Sequence, residues 1–440
     1  MPEIGFVTLN PGHFHAALVQ KEMYPEVSPR AHVYAPLGPD LVAHLQRVAG
    51  FNTRSVRPTH WELEVHAGPD PLGRLLQERP GNVVILAGRN AHKIDAIHAA
   101  LGAGLHVLAD KPWVITPDGL SRLQGALETA RQRGLVAYDI MTERHEITSV
   151  LLRELVADEA VFGTVLSGSP EEPGVRLEST HYLKKLVAGV PLRRPAWFFD
   201  VHQQGEGLSD VGTHLVDLVM WVLFPGRAVA AGDVSLLAGR HWPTVLTRAE
   251  FQQVTGEVDF PRELHELLEQ DGLPYYCNNQ VDYTVRGVHV TLTSRWDFEA
   301  PAGAGDTLLA VVRGSQARIE VRQGRAENYQ LELYLHPNRA LDLPRLRRAV
   351  EHRLGSLQPR YPGVGLTDLG THFRVAIPAA LRVGHEAHFA MVTHQFLRYV
   401  RGEEAVPAWE APNMLAKYTV TTRGVELSRR ELRPGSATRG

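Results

Sequence analysis

The chain of 440 residues is longer than one hydrophobic core usually organises, so two domains are expected. Its composition, 44% hydrophobic and 22% charged, excludes a largely disordered protein. The net charge of −3 excludes the strong basic excess of a nucleic-acid-binding domain, so no nucleic-acid partner is expected.

Cysteine usage and the N-terminal segment indicate the cellular compartment. A single cysteine, Cys277, excludes an intramolecular disulfide and a cysteine-rich metal centre. The segment MPEIGFVTLN leads into a strand and lacks the basic region and apolar core of a signal peptide. There is no run of about 18 apolar residues of the kind that spans a bilayer. We therefore expect a cytoplasmic protein without a membrane partner.

Short apolar runs alternate with helical patterns over the first third of the chain. The predicted strands are EIGFVTL, RAHVYAP, NVVILAG, HVLADKP and LVAYDIM. Strands that are apolar on both faces and separated by helices form a parallel sheet covered on both sides. The pattern predicts a doubly wound α/β domain over residues 1–145.

The pattern changes after the fifth of these strands. A predicted helix, SVLLRELVADEAVFG, leads to strands rich in valine and threonine at 283–300 and 307–324, followed by YQLELYLHP. Alternation in VHVTLTSRW indicates a large, mostly antiparallel sheet with one solvated or ligand-facing side. FAMVTHQFLRYVRG and NMLAKYTVTTRGVELSRRE have helical periodicity. Residues 146–440 are therefore predicted to form an α+β domain.

The turn after the first strand, TLNPGHFHA, is a weak match to a dinucleotide-binding loop, because Gly12 is the only glycine where three are usual. Asn10 tolerates a positive φ, and the amides that follow it lie where a helix should begin. His13 and His15 either contact phosphate or substrate or are solvated loop residues. The acid that usually follows the second strand is missing, and Asp40 comes several residues late.

A second cluster lies in QQGEGLSDVGTHLVDLVMW, residues 203–221. A helix that begins near Ser209 places Asp210 and His214 on one face, one turn apart. A carboxylate beside an imidazole raises the pKa of the histidine and suits acid–base catalysis near neutral pH. The alternative is that Asp210 only stabilises the helix dipole and His214 fills space.

Lys111 ends an apolar strand in the sequence HVLADKP. A lysine at such a position either caps the strand in solvent or presents its ammonium group to a ligand. Beside a sugar hydroxyl or ketone, that ammonium would stabilise developing negative charge on oxygen.

Taken together, AGLHVLADKP and GLSDVGTHLVD resemble the signature motifs of the Gfo/Idh/MocA family of NAD(P)-dependent oxidoreductases. That family carries EKP after the fifth strand of a Rossmann domain and a D-x-G-x-H-x-x-D helix in its second domain. VVILAGRNAHKIDA, EAVFGTV and HQFLRYVRGEEAVPAWE are similar to further family segments. The turn NPGHFHAALVQK resembles a branch of the family with an atypical glycine loop and a long C-terminal domain. The implied fold is a Rossmann-type parallel sheet plus a C-terminal α+β domain.

The resemblance implies a nicotinamide cofactor, NAD or NADP, and a catalytic set of Lys111, Asp210 and His214. Lys111 would orient the substrate, His214 would take or give the hydroxyl proton, and Asp210 would hold the ligand or the imidazole. Asp110 replaces the glutamate of the family motif. The residues assigned to the cofactor are Asn10, Pro11, Gly12, His13, Phe14, Gly88, Asn90, His92, Asp110, Lys111 and Pro112.

Aromatic residues before the second cluster suit a sugar ring, since flat apolar faces and polar groups together bind carbohydrates. The alternative is that the aromatic run at 197–199 belongs to the core. No metal is assigned, although His202, Asp210, His214 and Asp217 have spacing that could converge on an ion. The residues assigned to the substrate are Trp197, His202, His181 and Tyr182.

The expected activity is hydride transfer between a nicotinamide cofactor and a hydroxyl or ketone carbon of a sugar, glycoside or cyclitol. Two alternatives stay open: a redox-neutral, NAD-dependent cleavage of a glycoside by oxidation and elimination, and a sugar-sensing homologue without catalysis. An exposed antiparallel sheet face predicts a homo-oligomer, either a dimer or a tetramer.

Overall fold

The computed structural model describes residues 4–187, 190–270 and 272–431. These residues form two compact units that interleave along the chain. The first unit runs through Thr142 and also contains Trp197–Gly205 and Gly384–Ala411. The second contains the described residues of Glu143–Ala196, Glu206–Val383 and 412–431.

The regular elements alternate between helix and strand early in the chain and are richer in strand later. The strands are β1 (Phe6–Leu9), β2 (Arg30–Ala35), β3 (Glu62–Ala67), β4 (Val83–Leu86), β5 (His106–Asp110), β6 (Ala137–Ile140), β7 (Val175–Lys184), β8 (Leu186–Val187), β9 (Val190–Pro191), β10 (Val234–Leu246), β11 (Leu273–Val285), β12 (Val288–Glu299), β13 (Thr307–Arg313), β14 (Ala317–Gln323), β15 (Glu332–Pro337), β16 (Gly365–Asp368) and β17 (Phe373–Ala376). The helices are α1 (His15–Leu18), α2 (Pro39–Thr53), α3 (Pro71–Glu78), α4 (Lys93–Gly102), α5 (Leu120–Arg133), α6 (Ile147–Val156), α7 (Val201–Gln204), α8 (Val211–Leu223), α9 (Arg248–Thr255), α10 (Leu343–Leu357), α11 (His385–Val400) and α12 (Glu410–Glu431).

The sheet of the first unit has six parallel strands in the order β3-β2-β1-β4-β5-β6. Strands β1 and β4 are buried along their whole length, as expected for central strands covered on both faces. Strand β3 was not predicted from the sequence, because this edge strand carries glutamates and is mostly exposed rather than apolar on both faces. The predicted doubly wound sheet is confirmed.

Helix α11 belongs to the first unit, although it follows the second unit's strands in the chain. Its buried face carries Phe389, Val392 and Phe396, which share a core cluster with Phe6 of β1 and Leu108 of β5. The apolar stripe of the helix is thus matched by the apolar surface of the parallel sheet. Sequence periodicity predicted this helix but not the sheet on which it packs.

The second unit contains a nine-stranded sheet in the order β10-β11-β12-β7-β13-β14-β15-β17-β16. All neighbouring pairs are antiparallel except β12 with β7. Helices α6 and α8 bury Leu151, Leu155, Val216 and Val219 in the same core cluster as sheet residues such as Leu292. The predicted mostly antiparallel α+β unit is confirmed.

Among the residues that the structure describes, helices long and apolar enough to cross a bilayer are lacking. The oligomeric state expected from the sheet face stays a prediction.

Candidate active site

The carboxyl ends of β1 and β4 mark the switch point of the parallel sheet, where ligands bind in doubly wound folds. Asn10 opens the turn after β1 with a left-handed backbone, φ 47°. The turn then passes over the end of β4, and a Cβ atom at Gly88 would lie 2.5 Å from the Asn10 carbonyl oxygen. Gly88 is therefore required by a close approach of two backbone segments.

The backbone amides of this turn are partly engaged inside the protein. Gly12 N donates to Asn10 O at 2.8 Å, and His13 N donates to Ala87 O at 3.0 Å. In an open glycine-rich loop these amides would face a phosphate. The amides of Gly12 and His13, which lie where a helix should begin, are therefore engaged within the protein, and Pro11, which is buried, has no amide hydrogen to offer.

Gly12 forms the floor of a narrow cradle beside Asp40 and Trp197. A Cβ atom at Gly12 would lie 3.1 Å from Asp40 Oδ2 and 3.2 Å from Trp197 Cζ2. The Arg89 guanidinium lies 5.5 Å from the centre of the Trp197 ring. Burial raises the pKa of the Asp40 carboxyl, and the positive charge of Arg89 opposes that rise. Asp40, which comes several residues after the position where an acid usually follows the second strand, thus lies next to the only glycine of the turn TLNPGHFHA.

His13 and His15 both face the carboxylate of Asp110, the last residue of β5. His15 Nδ1 lies 2.8 Å from Asp110 Oδ2 and His13 Nδ1 lies 3.7 Å from the same oxygen. Although burial alone would raise it, the pKa of Asp110 is held well below its usual range by His15 and, to a smaller extent, His13. His15 is buried against the ring of Phe389, with 4.6 Å between ring centres. The interpretation of these histidines as solvated loop residues is therefore wrong.

The turn after β5 is fixed by a buried lysine that the sequence analysis did not single out. Lys93 Nζ donates to the carbonyl oxygens of Asp110 and Pro112 at 2.9 and 3.1 Å. Lys111 between them is only 9% exposed, so its interpretation as a solvated strand cap is wrong. The turn that carries the Lys111 side chain is therefore fixed by hydrogen bonds to the backbone of the residues before and after it.

Two further residues that were predicted to bind the cofactor follow β4 and lie in different environments. Asn90 is buried and its Nδ2 donates to Gln204 O at 2.8 Å and Gln204 Oε1 at 3.1 Å, so this side chain anchors α7. His92 is exposed, with Nδ1 3.6 Å from Asp95. These contacts do not place either side chain beside the turn at Gly12. The cofactor role predicted for Asn90 and His92 therefore stays a prediction.

In the second unit, α8 begins as predicted, with Asp210 at the N-cap position and His214 one turn later. Asp210 makes no side-chain capping bond to the helix backbone. Farther along the helix, Asp217 is bound by Arg144 and by Lys417 Nζ, which is 3.0 Å from its Oδ1. These ion pairs use both oxygens of Asp217, so the spacing-based metal centre lacks one of its ligands.

A buried guanidinium lies in the electrostatic field of Asp210. Burial lowers the pKa of Arg194, while the charges of Tyr275, Asp210 and Asp306 act in the opposite direction. Arg194 stacks on Trp296, with its Cζ 5.1 Å from the ring centre. Arg194 is thus a buried positive group that is influenced by the charge of Asp210, the residue before α8.

His181, a predicted substrate residue, lies in the same cluster. Its ring centre is 5.0 Å from that of Trp296, and its Nδ1 is 3.2 Å from Asp306 Oδ2. Lys185 Nζ lies 3.1 Å from the same carboxylate oxygen. Tyr182, the next residue on β7, is buried and points to the other face of the sheet. Arg194 and Trp296 are buried and His181 is partly buried, so the three groups pack together inside the second unit.

The aromatic run before α8 is buried, as the core alternative expected. Trp197, Phe198 and Phe199 are each at most 3% exposed and form a short 3-10 helix in the first unit. Trp197 nevertheless forms one side of the cradle at Gly12, next to the position of a Cβ atom there. His202 is exposed, and its backbone amide donates to Asp200 Oδ1, so its predicted substrate role has no support from these contacts.

Comparison with known proteins places these features in context. A family model described as "Putative oxidoreductase C terminal domain" matches residues 151–429. A crystal structure of a "putative oxidoreductase" from Parabacteroides merdae is 45% identical, covers 98% of each chain and has a TM-score of 0.94. D-glucoside 3-dehydrogenase from Escherichia coli is 32% identical over 161 residues, which is 36% of this chain and 40% of that protein.

A more distant structure shows the same fold. KijD10, a 3-ketoreductase from Actinomadura kijaniata solved with NADP and TDP-benzene, is 15% identical with a TM-score of 0.56, covering 96% of this chain and 97% of its own. At this identity the similarity indicates the fold alone.

Proposed function

This chain belongs to the oxidoreductase family whose C-terminal domain it carries at residues 151–429, and we propose that it oxidises or reduces a sugar with a nicotinamide dinucleotide. The predicted resemblance to Gfo/Idh/MocA oxidoreductases is confirmed. The reaction that we propose moves a hydride between the nicotinamide and a ring carbon that bears a hydroxyl group in one state and a ketone in the other.

The observation that carries this proposal is the approach of Asp40 to Gly12 at the end of β1. In doubly wound domains, an acid at this place accepts hydrogen bonds from a ribose of the dinucleotide, and a small residue lets the cofactor approach the backbone. A Cβ atom at Gly12 would fill the cradle, so this position requires the smallest residue, and Asp40 supplies the acid beside it. A carboxylate repels a ribose phosphate, so we expect NAD to be preferred over NADP.

The cofactor, when bound, supplies the hydride acceptor or donor. In the oxidation direction the substrate carbon loses a hydride and its oxygen loses a proton, which gives a ketone. In the second unit, His214 takes that proton and Asp210 stabilises the imidazolium that forms. In the first unit, the Lys111 ammonium stabilises negative charge as it develops on a substrate oxygen.

The proposed substrate is a glucoside or a related pyranoside with a free secondary hydroxyl. The E. coli relative is a D-glucoside 3-dehydrogenase, and the second unit brings a guanidinium, an indole and an imidazole together at Arg194, Trp296 and His181. We propose oxidation at the third carbon, the position named for that relative.

The test incubates the purified full chain with NAD and a panel of glucosides, and follows reduced nicotinamide by absorbance and products by mass spectrometry. A keto-glycoside formed in equal amount with NADH supports the proposal. Release of the sugar from the glycoside without accumulation of NADH would replace it with the redox-neutral cleavage. Failure to bind NAD in calorimetry would overturn the assignment of the cofactor.

A further inference from the structure

We propose that His13, His15 and Asp110 form a binding site for a divalent transition-metal ion in the first unit. The three side chains converge although they come from two separate segments, the turn after β1 and the end of β5. Neither the family match nor the proposed redox reaction requires an ion at this place.

The distances between the potential ligand atoms suit one ion. His13 Nδ1 and His15 Nδ1 lie 3.7 and 2.8 Å from Asp110 Oδ2, and one ligand atom from each residue lies within 4.8 Å of the others. Ligands at zinc-nitrogen and zinc-oxygen bond lengths in a tetrahedron are about 3.3 Å apart. Small side-chain rotations therefore bring the three groups into a coordination sphere without a change of backbone.

The backbone around the cluster is held in place. The turn that carries both histidines is tied to the end of β4 by the bond from His13 N to Ala87 O, and Gly88 permits the close passage. Lys93 holds the backbone of Asp110 from the other side. Metal sites need ligands that are oriented by their surroundings, and this arrangement supplies that orientation.

The ligand types favour a transition metal over magnesium or calcium. Two imidazoles and one carboxylate are suitable ligands for zinc, iron or manganese, whereas magnesium and calcium prefer oxygen ligands alone. Three protein ligands leave at least one position open for water or for an oxygen of a bound molecule. The ammonium of the adjacent Lys111 opposes a cation here, so coordination by imidazole nitrogen has to outweigh that repulsion.

A second group of potential ligands in the described residues provides an internal control. His32, Glu64 and His66 also come close together, on β2 and the edge strand β3. Glu64 is exposed, and the His66 ring stacks on Tyr34 with 4.2 Å between ring centres. We expect this surface group to bind metal weakly, because its carboxylate is solvated and its imidazole is already packed.

The experiment uses Zn²⁺ as the probe and needs no activity assay. The full chain is treated with a chelator, and Zn²⁺ affinity and stoichiometry are measured by competition with a chromophoric indicator. We expect one tight equivalent, weakened by more than about 100-fold in His15→Gln and in Asp110→Asn, since loss of a direct ligand exceeds the effect of its outer partners. The control His66→Gln should retain the tight equivalent.

A second measurement separates loss of a ligand from loss of the fold. His13→Gln alters the least buried ligand, and its circular dichroism should match the parent while its Zn²⁺ affinity falls. Co²⁺ substitution should give visible absorption bands that change in each ligand variant. The proposal is overturned if the parent chain binds no tight equivalent, or if the tight equivalent survives the changes at positions 13, 15 and 110. An NAD-binding result of either sign leaves this measurement unaffected.

Discussion

Arg144 donates two hydrogen bonds to the Asp217 carboxylate, from Nε to Oδ2 and from Nη2 to Oδ1, each 2.6 Å long. Lys417 Nζ adds a third at 3.0 Å, and all three residues are buried. Burial alone would raise the pKa of Asp217, but the two cations hold it well below the usual range. This triad connects α8, which carries Asp210 and His214, to α12, and so orients the proposed catalytic helix.

Replacement of Asp217 by asparagine should destabilise the protein strongly. The neutral amide would leave two buried cations without a counter-charge, and breaking a buried ion pair on one side costs about 3–5 kcal/mol. Denaturant unfolding followed by circular dichroism measures the free energy of unfolding. The matched control is Glu426→Gln, which breaks an exposed pair with Arg430 on α12 and should change stability by less than about 1 kcal/mol. Equal effects of the two changes would contradict the importance of the triad.

Stability in acid should depend on Asp306. Burial would raise its pKa, but His181 and Lys185 outweigh burial and lower it from 3.8 to about 2. Because the folded-state pKa lies below the unfolded value, the stabilisation is complete above about pH 4 and is lost as the pH falls toward 2. The difference in unfolding free energy between the parent and Asp306→Asn should therefore shrink as the pH falls from about 6 to about 3. A difference that is constant with pH would contradict the assignment, and Asp118→Asn, at an exposed position, serves as the control.

Gly12→Ala should weaken dinucleotide binding without unfolding the chain. The added methyl group would stand 3.1 Å from Asp40 Oδ2 and 3.2 Å from Trp197 Cζ2, in the cradle proposed for the cofactor. We expect a loss of NADH affinity of at least about tenfold, or about 1.4 kcal/mol, in a fluorescence titration. Gly102→Ala, where a Cβ atom meets nothing within 4 Å, should bind NADH like the parent. Unchanged affinity in both variants would remove the Gly12 cradle from the cofactor site.

His214→Gln should lower kcat while NADH binding persists. A positioned general base contributes about 10²- to 10⁴-fold to the rate, and glutamine retains hydrogen bonding without taking the proton. His352→Gln, on the exposed face of α10, should leave both parameters unchanged. A kcat within about tenfold of the parent's would assign the proton transfer to another group.

The elements with strong patterns were predictable from local chemistry. Strands β1 and β4 are buried throughout because they are covered on both faces, and α8 begins at Val211, directly after Asp210 and close to the predicted start near Ser209. Strand β3 was missed because an edge strand need not be apolar. The helix after β1 is short, since α1 contains only four residues, His15–Leu18.

The candidate site was predictable where motifs lie within one segment and unpredictable where partners come from distant ones. Asp210 and His214 are one helical turn apart, so their shared face follows from periodicity. Asp110 and His15 are 95 residues apart, and their 2.8 Å contact depends on a turn that crosses β4. The sequence neighbours of Arg194 give no indication that it stacks on Trp296.

The amino-acid sequence by itself determined the two classes of sheet, the helix that follows Asp210 and carries His214, and the family, because periodicity and short motifs are local properties of a chain. Only the tertiary structure decided that Asp40 stands beside Gly12, that two histidines meet Asp110, and that α11 packs on the first sheet. Those contacts depend on where separate strands end and which surfaces they bury. Close packing in the folded protein sets these distances, and the sequence of any one segment does not indicate them.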